Sequence, residues 1–175
     1  MTLRQTRLCV TLSILGATIL LDQGTKRIAM ETLRFRPAQS FLGNMFRLEY
    51  SENPGAFLSL GSALPDSVRF WLLSVAVAVA LVALFVYVVF FSNTGIKQAL
   101  GMVFLISGGL SNLIDRMFRQ SGRVVDFLNM GIGDLRTGIF NVADMLIMLG
   151  VVLTIFWGNR PEPKAHPTET PVTES

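Results

Sequence analysis

One stretch of the sequence restricts the solvent in which this chain can fold. Residues 70–91 read FWLLSVAVAVALVALFVYVVFF and contain no charged side chain. About 20 residues of helix cross the hydrocarbon core of a bilayer, which is roughly 30 Å thick. The run is long enough to span a membrane, and a water-soluble fold would have to bury it on every side. This segment therefore predicts an integral membrane protein.

The composition agrees with a membrane setting and excludes several function classes. Hydrophobic residues make up 51% of the 175 residues and charged residues 15%. The net charge of +3 is too small and too scattered to indicate nucleic-acid binding. Cys9 is the only cysteine and His166 the only histidine, so neither an internal disulfide nor a zinc site is expected. We expect no metal, no cofactor and no nucleic-acid partner.

Three more stretches approach the length of a span. Residues 8–21 are apolar and reach full length only by continuing through Asp22 to residue 30. Residues 96–114 contain glycines of the kind that let membrane helices pack closely, namely Gly101, Gly108 and Gly109. Residues 138–157 carry polar side chains in their first turns. We predict an all-α polytopic membrane protein with four transmembrane helices, at about residues 8–30, 68–91, 96–116 and 138–158.

The first of these stretches has a second interpretation. Arg4 and Arg7 precede a short apolar run, as in a cleavable signal peptide. No Ala-x-Ala-like cleavage site follows the run, however. Asp22 and Lys26 are four residues apart and can pair on one face of a continuing helix. We therefore interpret the segment as a permanent span.

Two segments between the spans have the pattern of strands. The sequence MFRLEY, residues 45–50, alternates apolar and charged side chains, and Pro54-Gly55 then predicts a turn. Val124, Val125 and Phe127 form a second β-rich stretch. We expect a small β-rich cradle at the membrane surface, built from residues 31–67 and 117–137. Residues 1–158 would form a single domain, followed by a disordered polar tail, residues 159–175.

The distribution of Lys and Arg bears on which side of the membrane the termini lie. Four spans put both termini on one side, and that side carries Arg4, Arg7, Lys97, Arg160 and Lys164. The other side carries twice as many: Lys26, Arg27, Arg34, Arg36, Arg47, Arg69, Arg116, Arg119, Arg123 and Arg136. The positive-inside rule alone would place the termini outside. Several of the second group lie near acidic residues, which indicates folded, paired structure instead.

The polar residues of the apolar segments collect at one membrane depth. In GGLSNLIDR, residues 108–116, Asn112, Asp115 and Arg116 are spaced to project from one side of a helix end. Asn141 and Asp144 are likewise spaced i, i+3 at the start of the last span. A short connection joins these two spans, so their polar faces share one depth, and Asp22, Lys26 and Asn53 belong to it too. Single polar residues at helix ends often only anchor a bundle, but this convergence indicates a functional site.

The chemistry available there is that of carboxylates, since the cluster has no histidine, no thiol and no Ser/Lys dyad. Two carboxylates that share a site can hold one proton between them and activate water, as in an aspartic protease. The candidates are Asp22, Asp115, Asp126, Asp134 and Asp144. Lys26 beside Asp22 and Arg116 beside Asp115 favour structural roles for these two, whereas Asp134 lies in a Gly-rich loop that can face water. Asp126 and Asp144 have apolar neighbours, but spacing alone leaves the pair open.

Five sequence blocks in order carry a resemblance to a known family. They are DQGTK (22–26), NPGAF (53–57), GGLSNLIDR (108–116), GRVVDF (122–127) and FNVAD (140–144). Together with four spans they resemble bacterial lipoprotein signal peptidase, also called signal peptidase II, over roughly residues 8–157. One block would be weak evidence, whereas five in order are highly specific.

The resemblance implies an aspartic endopeptidase of the bacterial inner membrane, with a periplasmic cradle and site and both termini in the cytoplasm. Such an enzyme cuts prolipoproteins just before a diacylglyceryl-modified cysteine, so its partners are the lipidated substrate and membrane lipids. Asp126 and Asp144 would be the catalytic dyad. Asn112, Arg116 and Asn141 would line the site, and the supporting residues would be Asp22, Lys26, Asn53, Gly55 and Asp115.

Two other classes compete with this interpretation. A small transporter or channel would use intramembrane Asp and Arg residues as an ion relay, but it predicts polar residues spread through the membrane and some internal symmetry. A presenilin-type protease would need Tyr-Asp and Gly-x-Gly-Asp motifs. GIGD at residues 131–134 matches the second motif, and no Tyr-Asp occurs. A purely structural or assembly role is a further alternative.

Overall fold

The polar residues Asp22 and Lys26 do not interrupt the first helix. The computed structural model describes residues 2–55, 63–91 and 96–157. Helix α1 covers Leu3–Leu33, and Thr2 and Gln5 cap its start reciprocally. The helix continues through Asp22 and Lys26, as predicted, and both side chains are fully buried. The predicted disordered tail, residues 159–175, lies outside the described residues.

The charge-free run, residues 70–91, lies in one long helical segment, Asp66–Phe91, which contains two stretches of a different helical period. It consists of α2 (Asp66–Phe70), a π-helical segment (Trp71–Ala76), α3 (Val77–Val86) and a second π-helical segment (Tyr87–Phe91). Much of its surface is exposed and apolar, including Val79, which is 66% exposed, and Phe91, which is 71% exposed. Such a surface suits lipid rather than water.

The last two helices pack closely because glycines leave room between them. Helix α4 covers Ile96–Phe118 and helix α5 covers Val142–Trp157. A Cβ on Gly108 would lie against the backbone oxygen of Ala143 and 2.8 Å from Cγ1 of Ile147. A Cβ on Gly101 would likewise lie 2.7 Å from Oγ1 of Thr154. The expectation that these glycines permit close packing is confirmed.

Among the described residues, three helical segments are long and apolar enough to cross a membrane: Arg4–Leu33, Asp66–Phe91 and Gln98–Phe118. The apolar part of α5, Val142–Phe156, is shorter. This helix begins four residues after the predicted start of the fourth span at residue 138. The preceding Phe140 instead exchanges two backbone hydrogen bonds of 2.8 Å with Leu128. The start of α5 is therefore tied to a strand.

The two strand-like segments pair in one antiparallel sheet of order β1-β2-β3-β4. The strands are β1 (Gln39–Phe41), β2 (Phe46–Asn53), β3 (Val124–Ile132) and β4 (Leu135–Arg136). The predicted strands around residues 45–50 and 124–127 are confirmed. A bulge separates Leu48 from Ser51 in β2, and Ser51 pairs with Asp126. Bulges often lie beside functional sites, where they redirect side chains.

Two buried clusters hold the helices and the sheet together. The first joins α1, α4 and the end of the Asp66–Phe91 helix through Leu15, Val88, Met102, Val103 and Ile106. The second packs β3 on the end of α1 through Ala29, Leu33, Val125 and Phe127. The second cluster sets the position of the sheet relative to the bundle, and hence the position of Asp126 between Val125 and Phe127.

Candidate active site

The start of α5 positions Asp144 through a reciprocal cap. Asn141 precedes the helix, and its side-chain oxygen accepts a hydrogen bond of 2.9 Å from the backbone N–H of Asp144. In return, Oδ2 of Asp144 accepts one of 3.1 Å from the backbone N–H of Asn141. This is the capping-box pattern, with Asn and Asp as its two members. The cap fixes the Asp144 carboxylate at the start of α5, where the residue is only 4% exposed.

Strand β3 brings the second carboxylate to the same place. Asp126 is 1% exposed. Its Oδ1 accepts a hydrogen bond of 2.6 Å from the Asn141 amide, and its Oδ2 accepts one of 2.8 Å from Asn53. Asn141 therefore contacts both aspartates, Asp126 through its side chain and Asp144 through its cap.

The electrostatic setting of Asp126 favours the protonated form. Burial raises the pKa of its carboxyl to about 7, and the nearby charge of Asp144 adds to the shift. The hydrogen bonds from Asn53 and Asn141 oppose it. Asp126 therefore titrates near neutral pH, which suits a group that must both hold and release a proton.

Asn112 connects the aspartates to a buried cation. Its amide nitrogen donates a hydrogen bond of 3.0 Å to Oδ1 of Asp144, and its amide oxygen accepts one of 2.8 Å from Nζ of Lys26. Because an ammonium group only donates, Lys26 fixes which end of the amide faces Asp144.

Lys26 lies between two buried carboxylates. Its Nζ is 2.8 Å from Asp22 and 2.9 Å from Asp115, and all three side chains are fully buried. The predicted pairing of Asp22 with Lys26 is thus confirmed. The predicted pairing of Asp115 with Arg116 is wrong, because Asp115 pairs instead with Lys26 and with Arg119, at 2.8 Å. Arg119 follows the last residue of α4 and lies one turn after Asp115, whereas Arg116 projects toward Gly55.

Arg116 connects the bundle to the turn that follows β2. Its Nη2 donates a hydrogen bond of 2.6 Å to the backbone oxygen of Gly55, and the Gly55 N–H donates one of 2.8 Å to the side chain of Asn53. The Nε of Arg116 is buried and has no hydrogen-bond partner within the described residues. The second half of NPGAF, residues 56–57, lies outside them.

Three contributors to this network were not predicted. Gln23 donates hydrogen bonds to the side chains of Ser111 and Asp115, at 3.0 and 3.1 Å. Ser111 in turn donates one of 2.7 Å to Asp22. Arg119 is the third contributor. A signal for Gln23 was its place inside DQGTK, and a signal for Arg119 was its i+4 spacing from Asp115.

The structure thus brings together the predicted residues at one end of the helices and leaves Asp134 aside. Asp134 is exposed in the turn between β3 and β4. The Gly-x-Gly-Asp match therefore lies away from the buried aspartates, which removes the reason to consider a presenilin-like site. The two buried carboxylates, connected by amides, can exchange a proton with a water and a carbonyl oxygen.

Comparison with known proteins points to a family of peptidases. The sequence pattern of the family described as Signal peptidase (SPase) II matches residues 14–158. A lipoprotein signal peptidase of Chlorobium phaeobacteroides is 37% identical over 156 residues, covering 81% of this chain and 91% of that protein. One from Borrelia duttonii is 31% identical, covering 90% of this chain and 94% of that protein.

Two solved structures have a similar fold, and each is described as a bacterial membrane enzyme determined by the in meso method. The first, at 2.3 Å resolution, has a TM-score of 0.73 and 24% identity, and covers 90% of this chain and 94% of that one. The second, at 1.9 Å, has a TM-score of 0.70 and 26% identity, and covers 84% and 90%. The helices and the sheet thus form a fold already seen in membrane enzymes.

Proposed function

Because the chain belongs to the signal peptidase II family and removes signal peptides from lipoprotein precursors, we propose that it works as an aspartic endopeptidase with Asp126 and Asp144 as its catalytic pair. The observation that carries this proposal is Asn141, which donates a hydrogen bond of 2.6 Å to Asp126 and shares a capping box with Asp144. One residue thereby sets the relative position of two buried carboxylates, which is what shared acid–base chemistry requires.

In the proposed reaction the pair holds one proton and a water. One aspartate removes a proton from the water as the oxygen attacks the scissile carbonyl, and the other protonates the carbonyl oxygen. The resulting tetrahedral diol collapses as its carbon–nitrogen bond breaks. The leaving amine takes the proton from the first aspartate, and a hydroxyl of the diol returns one to the second aspartate, which restores the pair. Asn112 and Arg116 would donate hydrogen bonds to the substrate. No cofactor or metal takes part.

The proposed substrate is anchored in the bilayer by a diacylglyceryl group on its cysteine, and the enzyme cuts just before that residue. The signal-peptide helix would pass between the spans, with acyl chains against the exposed apolar faces of the bundle. Strand residues Phe46 to Tyr50 and the turn at Asn53 to Gly55 would cover the site and exclude bulk water. The contact of Arg116 with Gly55 supports such a role for the turn.

We further propose that α5 is the fourth span of this multi-pass membrane protein. Its 16 residues extend about 24 Å, somewhat less than the hydrocarbon core. Its capped start would then lie at the membrane surface together with the sheet. In this arrangement the enzyme lies in the bacterial inner membrane, the site faces the periplasm and both termini are cytoplasmic.

The comparisons do not favour the transporter or channel that the intramembrane charges also suggested. The contacts of those charges offer a different role, since Lys26 and Arg119 together balance Asp22 and Asp115. Such a closed set supports a fixed scaffold more than an ion path.

The decisive experiment is cleavage of a diacylglyceryl-modified prolipoprotein by purified protein in detergent. Wild type would be compared with Asp126→Asn and Asp144→Asn, with and without chelator. Asp134→Asn is the matched control, because it removes an exposed aspartate of the same sheet region. We expect cleavage by wild type and Asp134→Asn, unaffected by chelator, and none by the other two.

Two results would contradict the proposal. Turnover by folded Asp126→Asn or Asp144→Asn would remove that residue from the catalytic pair. Loss of cleavage on adding chelator, with recovery on adding metal, would show that the reaction requires a metal ion.

A further inference from the structure

The surplus of arginines on the active-site side is only partly explained by ion pairs. Within the described residues, carboxylates pair with Lys26, Arg27, Arg34, Arg69 and Arg119. Arg116 lies in the active site. Two others, Arg47 and Arg136, converge at the far end of the sheet, where no described carboxylate is within ion-pair distance of either.

Asn44 holds these two guanidinium groups together. Nε of Arg47 donates a hydrogen bond of 2.6 Å to the side-chain oxygen of Asn44, and Nη1 of Arg136 donates one of 2.8 Å to its backbone oxygen. Nε of Arg136 also donates one of 2.5 Å to Asn129, which is 5% exposed. Neutral oxygens thus orient two like charges without neutralising them.

Hydrogen-bonding capacity remains on both arginines. The Nη2 of Arg136 is buried and has no partner within the described residues. The terminal nitrogens of Arg47 likewise make no hydrogen bond to any described residue. The backbone is shaped around this pair, since a Cβ on Gly131 would lie 2.8 Å from Cγ of Arg136. Paired arginines with free donors match an anion with several acceptor oxygens.

Apolar side chains lie at the same end of the sheet as the arginines but mostly on its opposite face, because successive strand residues alternate between faces. The register brings Phe41 beside Phe46 and Phe46 beside Met130, and Ile132 pairs with Leu135. Leu42 is 79% exposed, Ile132 73% and Leu135 85%. We call this patch, comprising Phe41, Leu42, Met45, Met130, Ile132 and Leu135, the apolar rim.

We propose that Arg47 and Arg136, with Asn44, bind the phosphate of an anionic phospholipid headgroup while the apolar rim enters the adjoining acyl region. Two features favour a membrane lipid over other anions. No carboxylate of the described residues balances the charge of the arginines, and the exposed rim at the same end of the sheet can enter the acyl layer while the arginines stay at headgroup level. The site lies apart from the aspartates and goes beyond the proposed function: it would hold the sheet at a defined depth.

The test is native mass spectrometry of the full-length protein in neutral detergent, titrated with phosphatidylglycerol or phosphatidylcholine. An arginine at an anionic surface contributes roughly a fivefold gain in lipid affinity, so losing both predicts a fall of roughly 25-fold for phosphatidylglycerol. Arg47→Gln/Arg136→Gln removes both charges. Arg123→Gln/Arg36→Gln is the matched control, since it removes two exposed arginines from the same side of the protein.

A second variant guards against misfolding of the double mutant. Asn44→Asp is nearly isosteric and puts a carboxylate where Arg47 already donates, so it pairs with Arg47 in place and halves the net charge of the site. We expect it to weaken phosphatidylglycerol binding while cleavage activity in detergent stays at the wild-type level. Equal binding by wild type, Asn44→Asp and the double variant would overturn the proposal. Displacement of the lipid by inorganic phosphate at equal concentration would overturn the lipid as the ligand.

Discussion

The carboxylate of Asp22, in the middle of the first helix, accepts a hydrogen bond of 2.7 Å from the backbone N–H of Ala143, the residue before Asp144. The first turn of a helix has unsatisfied N–H groups, and a negative charge there is favourable. Asp22 thus caps the first turn of α5 from another helix, as Asn141 caps it from the residue before the helix. A residue far from the proposed chemistry helps to fix one of its two carboxylates.

Replacing Asp22 by Asn should therefore destabilise the protein. The change leaves Lys26 with one carboxylate and weakens the cap on α5, and breaking a buried ion pair typically costs about 3–5 kcal/mol. Thermal unfolding in detergent would measure the loss. Glu31→Gln is the control, because its pair with Arg27 is exposed and should contribute little. Equal melting temperatures for the two variants would contradict a supporting role for Asp22.

Protein stability should depend on pH through Asp126. Its pKa is about 7 when folded and 3.8 in its ordinary state, so the folded protein holds a proton that the unfolded chain has released in between. The free energy of unfolding should therefore fall as pH rises from about 4 to about 7. Asp126→Asn cannot ionise and should lose this slope. Melting temperatures at a series of pH values would measure it, and parallel curves for wild type and variant would refute it.

Enzyme activity should decline as pH rises through about 7, because the pair then loses its shared proton. Asn53 stabilises the charged form of Asp126, so Asn53→Ala should raise the pKa of this carboxyl further and move the decline to higher pH. The pH profile of kcat/KM would report the shift. A profile for Asn53→Ala with a lower rate but an unchanged midpoint would indicate that Asn53 acts elsewhere.

Two substitutions of Asn141 should separate its roles in stability and catalysis. Ser at this position can still cap α5 but cannot reach Asp126 with an amide, so kcat should fall by about 100-fold with nearly native stability. Ala should lose the cap too and cost about 1 kcal/mol more. Cleavage assays and thermal unfolding would be compared on the same samples. Wild-type kcat in Asn141→Ser would show that the contact with Asp126 is dispensable.

Widening the space between α4 and α5 should disturb the site from within the bundle. In Gly108→Ala the new methyl group would press on Ala143 and Ile147, with a cost of about 1–3 kcal/mol and reduced kcat. Gly16→Ala in α1 is the control, since its Cβ would meet nothing within 4 Å. Thermal unfolding and cleavage rates should separate the two variants. Similar values would mean that the helices adjust without cost.

The sequence predicted the features that depend on local spacing. The periodicity of a helix predicts the helical runs and the pairing of Asp22 with Lys26. The periodicity of a strand predicts the alternation of residues 45–50. The structure shows all three. The resemblance implied the group of aspartates and asparagines that the structure brings together. The catalytic role of these residues stays a prediction.

The pairing of Asp115 with Lys26 could not be read from spacing. Arg116 is its sequence neighbour, but adjacent residues on a helix point about 100° apart, and the cation that reaches Asp115 from α1 depends on how the helices pack. The later start of α5 has a similar cause. Residues 138–141 are apolar enough to continue a span, yet the backbone of Phe140 pairs with Leu128, a contact that only the tertiary structure defines.

The strand pairing has a consequence for the biogenesis of the enzyme. Strand β2 is synthesised directly after α1, but β3 emerges only after α4, and the residue that connects Asp126 to Asp144 follows later still. The sheet therefore waits for two more helices to insert before it can close. Until β3 and the start of α5 have emerged, a nascent chain cannot bring Asp126 and Asp144 together, so under the proposed function it has no active site at that stage.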